Sequence, residues 1–94
     1  MNHVKQLILE TAYHITQRDG FAALTRDGVA DTAGIARGAI NHQFGTMEAL
    51  RDAVMQLAIE SGDLPIIAHG LSISHPVART APDDVKRQAL DTLL

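Results

Sequence analysis

The chain contains no cysteine. That removes disulfides, a thiolate nucleophile and any Cys-ligated zinc, and it suits a reducing compartment. No apolar run approaches the roughly 20 residues needed to span a bilayer. The opening MNHVKQLILETAYH is charged and amphipathic, without the apolar stretch and cleavage site of a signal peptide. A soluble, cytoplasmic protein is expected, with no membrane partner. Excess positive charge is absent too: 8 Lys+Arg stand against 11 Asp+Glu, a net charge of −3. Taken globally, that balance speaks against indiscriminate binding to polyanions. None of the five histidines (His3, His14, His42, His69, His75) falls in a ligand spacing such as H-x-x-x-H, so no metal or other cofactor is expected. Ser72, Ser74, His75 and Asp83 are near one another only in sequence, and no nucleophile elbow or phosphate loop is present, so no enzyme is expected. Internal repeats and low-complexity segments are also missing.

What remains is one small domain, or one domain and a tail, with 46% hydrophobic residues in 94. Val4, Leu7, Ile8, Ala12 and Ile15 make one apolar helix face, from about His3 to Arg18 and stopping at Gly20. Phe21 and Leu24 return the chain to the core. Thr25 is placed to cap a second helix with Asp27 in its first turn; Val29, Ala30 and Ala33 are its expected buried residues, and Gly34 its turn. A third helix is predicted from about Ala36 to Gln43, anchored by Ile35, Ile40 and Phe44. Its outward residues are Arg37, Gly38, Ala39, Asn41, His42 and Gln43. Thr46 then caps a fourth helix with a stripe of Leu50, Ala53, Val54, Leu57 and Ala58, fading near Ser61-Gly62-Asp63. Beyond Pro65 the apolar residues lose a clean period, with at most a helical turn over Ala68–Leu71. A last amphipathic helix is expected from Pro82.

Residues 25–44 therefore read as helix, tight turn, helix, the arrangement that sets a second helix into the DNA major groove. Gly38 and Ala39 let a backbone come close. Arg37 can reach a guanine edge or a phosphate, Asn41 and Gln43 can bond base edges, and His42 can bond a phosphate. The helix amino ends near Thr25 and Thr46 are natural phosphate sites, and Arg26 is a further backbone contact. No acid stands between Asp31 and Glu48, so a polyanion is expected to meet that window most easily.

The stretch from Ile8 to Met55 resembles the N-terminal domain of TetR-family transcriptional regulators. The shared landmarks are Gly20-Phe21, Thr25, Ala33-Gly34-Ile35, Arg37-Gly38, His42, Phe44-Gly45 and Glu48-Ala49-Leu50. Asn41 stands where the family usually has a phosphate-contacting Tyr and Met47 where it commonly has a Lys. Ala36 and Ala39 replace a Ser and a Thr. The resemblance implies an all-α fold: a TetR-like helix-turn-helix domain over 1–62 and a short helical dimerisation segment over 63–94. It implies a sequence-specific repressor that binds a palindromic double-stranded operator as a homodimer. Thr25, Arg26, Ala36, Arg37, Gly38, Ala39, Asn41, His42, Gln43 and Thr46 would form the DNA face. The tail is too short for the family's usual ligand-binding domain, as in short plasmid and phage members, so a small-molecule inducer is not expected. Ile66, Ile67, Leu71, Leu90, Leu93 and Leu94 are more apolar surface than such a tail hides alone, which favours the dimer. The alternative is a protein-interaction module that pairs with and inhibits another regulator without touching DNA.

Overall fold

The computed structural model describes residues 3–93, and these form six α-helices and two short 3-10 turns with no strand among them. The chain divides into two compact units, the first ending at Val54 and the second beginning at Met55. No helix among the described residues is long and apolar enough to cross a membrane.

In the first unit α1 (His3–Asp19) buries Ile8, Ala12 and Ile15, spaced i, i+4 and i+7. Thr16 is also buried, and its hydroxyl donates to the Ala12 carbonyl at 2.9 Å, which satisfies the polar group. The expected stripe is shorter than predicted. Val4 and Leu7 are each 41% exposed, so the face is only partly covered at its amino-terminal end. A 3-10 turn, Phe21–Ala23, follows Gly20 and seats Phe21 and Leu24 in the core.

α2 (Arg26–Ala33) begins at Thr25, whose hydroxyl oxygen accepts the Gly28 N–H at 3.1 Å. A Cβ on Gly28 would lie 2.9 Å from that oxygen, so the glycine that weakens the helix also clears room for its cap. Val29 and Ala30 are buried and Ala33 is half-buried. Gly34 ends the helix in the left-handed region, φ 72°, ψ 36°, and Ile35 N–H closes the turn onto the Ala30 carbonyl at 3.0 Å. α3 (Arg37–Phe44) starts one residue later than predicted. Ala36 is its extended N-cap and offers no side-chain bond to the helix end. Gly45 stops α3 at φ 81°.

α4 (Met47–Ser61) opens under Thr46, which accepts the Ala49 N–H at 3.0 Å. It supplies Leu50 and Val54 to the first core and Met55 and Ala58 to the second. Arg51 reaches back to donate to the Leu24 carbonyl at 3.2 Å, tying α4 to the segment before α2.

The second unit differs most from the sequence expectation. α5 (Leu64–Ser72) is a full helix, not one turn. Asp63 caps it by accepting the Ile66 N–H at 3.3 Å, and Pro65 occupies a first-turn position where no N–H is needed. Ile66, Ile67, Ala68 and Gly70 are all buried, so apolar positions occupy several sides and leave no period to detect. After a second 3-10 turn, Ala78–Thr80, α6 (Asp83–Asp91) follows Pro82, which is its N-cap and not its first helical residue. Ile66 and Ile67 are buried, whereas Ile73, Leu90 and Leu93 are 53%, 46% and 58% exposed. Leu94 lies outside the described residues.

Candidate nucleic-acid interface

α2 and α3 present their amino-terminal residues to one open cleft of about 610 Å³, lined by Thr25, Arg26, Asp27, Arg37, Gly38 and Asn41. Local chemistry accounts for this placement. The Thr25 cap starts α2 at Arg26, and the Gly34 turn brings the start of α3 back beside it. Five of the ten sequence-predicted contact residues therefore meet in one place. The other five do not line the cleft. Ala36 and His42 are exposed, Ala39 and Gln43 are only half-exposed, and Thr46 is exposed at the start of α4. Ala39 and Gln43 are thus less outward than the helical spacing predicts.

The capping threonines keep a free function. Each uses its hydroxyl oxygen to accept a backbone N–H, which leaves the O–H to donate to an anion at the helix end. Thr25→Ala should cost about 1 kcal/mol of stability through the lost cap, measurable by chemical denaturation.

The electrostatics differ from the sequence expectation. The stretch from Asp31 to Glu48 carries no acid along the chain, yet the fold places Asp27 in it. Arg37 Nη1 donates to Asp27 Oδ1 at 3.2 Å, with both side chains about 70% exposed (69% and 70%). Asp27 is the site residue that the sequence did not single out. A separation of ten residues across a turn leaves no periodic signal; helix-end placement was its only visible role. Arg26 adds a second feature: its Nε is buried without a hydrogen-bond partner among the described residues. A buried donor of this kind calls for an acceptor. Gly38 faces open space, and a Cβ there would meet nothing within 4 Å. At the other end of α3, the Lys5 ammonium lies 5.2 Å from the centre of the Phe44 ring, bracing α3 against α1. Among the described residues no three His, Asp or Glu side chains gather as a metal site requires.

This geometry suits recognition of a polyanion by a helix that can approach closely: two guanidinium groups, an amide, a glycine without internal purpose and a capped helix end share one cleft. No curated protein and no solved structure matches the chain. Residues 8–54, half of the sequence, match the family described as bacterial regulatory proteins, tetR family. The match spans α1 from Ile8, the cleft-forming α2 and α3, and the first part of α4. The chain therefore belongs to the tetR family of bacterial regulatory proteins and is a DNA-binding transcriptional regulator built on a helix-turn-helix.

Proposed function

We propose that the protein is a sequence-specific repressor that binds a palindromic operator as a homodimer, with α3 of each copy in a major groove. The cleft carries this reading, since Thr25, Arg26, Arg37, Gly38 and Asn41 line it together. The Arg26 guanidinium, on the wall of the cleft, would pair with a phosphate. Arg37 and Asn41 have the donors and acceptors for base edges, with Gln43 further along α3. Thr25, Arg26, His42 and Thr46 would hold the backbone and fix register. Ala36, Gly38 and Ala39 are small enough to let the helix sit deep. Gly38 supports this in particular, since nothing inside the protein needs a glycine there.

The dimer is supported by Ile73, Leu90 and Leu93, large apolar side chains left exposed in the second unit. A two-fold dimer would set its recognition helices roughly 34–36 Å apart, one turn of DNA. Repression follows when the bound dimer occludes a promoter.

Selection from a random duplex library at moderate salt tests the reading. A palindrome should emerge with half-sites one turn apart. No enrichment from folded, dimeric protein would overturn it and favour a module that inhibits another regulator by pairing. On the selected site, Arg37→Ala should cost about 1–3 kcal/mol and relax preference at one base pair. Titration against single-base variants of the site measures both.

A further inference from the structure

We infer that Asp27 sets the selectivity of this interface, by holding Arg37 in a state that a guanine edge satisfies and a phosphate does not. The inference rests on the DNA-binding reading above and concerns how the same site discriminates. Asp27 stands in the first turn of α2 and Arg37 is the first residue of α3. Their 3.2 Å ion pair is mostly solvent-exposed, so it adds little to folding stability. Its consequence lies in what Arg37 has left to offer. A guanidinium carries five N–H donors in a rigid fork. Asp27 engages Nη1, and the rest of the fork remains for the O6 and N7 acceptors of guanine, which are neutral.

A phosphate is a different partner. It is held chiefly through net charge. Here the charge of Arg37 is already balanced, and the Asp27 carboxylate lines the cleft that a phosphate would enter. Contact with any DNA backbone is therefore weakened at this point, while contact with the right base is retained. The ratio of specific to non-specific affinity, which governs site occupancy on a genome, rises accordingly. Arg26, the other guanidinium residue lining the cleft, is left as the phosphate-binding cation of the pair. Asp27 is in this sense a positioning residue, acting on DNA through Arg37.

The test uses the full chain, the selected duplex and a random-sequence duplex, titrated across salt concentrations. Asp27→Asn should raise affinity for the random duplex about tenfold and steepen its salt slope by about 0.9, the value of one added phosphate contact. Affinity for the selected duplex should change by less, so the ratio falls. In an Arg37→Ala background the same substitution should change neither duplex appreciably, and Asp27→Glu should preserve the ratio. Arg37→Lys, which leaves the Asp27 carboxylate at the α2 amino end, gives a second measurement independent of the fold of the Asn variant. Lysine cannot present the fork, so the ratio should collapse with the salt slope unchanged. Equal gains for both duplexes, or the same gain without Arg37, would reduce Asp27 to a diffuse charge and overturn the inference. Equal losses at constant ratio would make it a helix-end residue only, and a ratio that survives Arg37→Lys overturns the inference too. A wild-type chain with no preferred duplex would defeat the DNA reading itself, whereas a preferred duplex with an unaltered ratio in Asp27→Asn would defeat this inference alone.

Discussion

Ile40→Ala should abolish operator binding under conditions where most of the chain is still helical. α3 has eight residues, and Ile40, 1% exposed, is its one fully buried side chain. A helix of that length does not persist in water by propensity. Its start has no side-chain cap, and Arg37-Gly38 is a poor opening for an isolated helix. The orientation of α3 therefore depends on one isoleucine, helped by the Gly34 and Gly45 turns and by Lys5 over Phe44. Truncation to alanine removes buried methyl groups and leaves a cavity, at a cost of about 2–5 kcal/mol. Domains of this size have total stabilities of roughly 5–15 kcal/mol. The melting temperature should drop by some 10 °C or more, given about 4–8 °C per kcal/mol. Amide hydrogen exchange should show α3 losing protection first, with α1 following later. Ile40→Val, costing about 0.5–1.5 kcal/mol, should retain binding. Unchanged DNA affinity for the alanine variant at a temperature where it is folded would show that Ile40 does not hold the recognition helix.

The same dependence explains what could be read from the sequence alone. Thr25, Gly34, Gly45 and Thr46 were legible because caps and turns are local: a hydroxyl next to free N–H groups, or a residue that tolerates positive φ, carries its meaning within three or four positions. The gathering of Arg26, Arg37, Gly38 and Asn41 at one cleft followed from the same local signals, since two short helices joined at Gly34 have few ways to lie together. Asp27 facing Arg37 did not follow, because that proximity is tertiary. Val4 and Leu7 failed for a related reason. Helical spacing tells which residues share a face, but not how completely each of them is covered. α5 extends beyond the single turn expected over Ala68–Leu71 because neighbouring positions Ile66, Ile67 and Ala68 are all buried; a helix covered on more than one side has no polar face to mark its period.

α5 is also where the largest effect on assembly is expected. If the proposed dimer forms through the second unit, Gly70→Val should unfold that unit, leave a monomer and weaken operator binding by about a hundredfold or more. A Cβ at Gly70 would lie 2.5 Å from Met55 Cε, 3.0 Å from Met55 Sδ and 2.8 Å from Ala78 Cβ. The Met55 tip is flexible, but Met55 is wholly buried and has no open space to retreat into. Ala78 has no side-chain torsion to adjust and sits, fully buried, on a 3-10 turn. Even alanine at this position sets an overpacking cost of about 1–3 kcal/mol against a helix-propensity gain of at most about 1 kcal/mol, so the net sign is unfavourable. Valine adds two methyl groups and gives up part of that gain. Leu90 and Leu93 belong to the same unit, and once it opens they no longer form a defined surface. In the proposed dimer, two linked half-site contacts would then become two separate ones, and the avidity of the pair would be lost. Sedimentation velocity should report the monomer, circular dichroism a loss of helix confined to the second unit, and titration on a full operator the fall in affinity. A Gly70→Val chain that stayed dimeric with its second unit melted would place the dimer contact outside residues 55–93. A folded second unit would instead show that Met55 and Ala78 yield more easily than their burial implies.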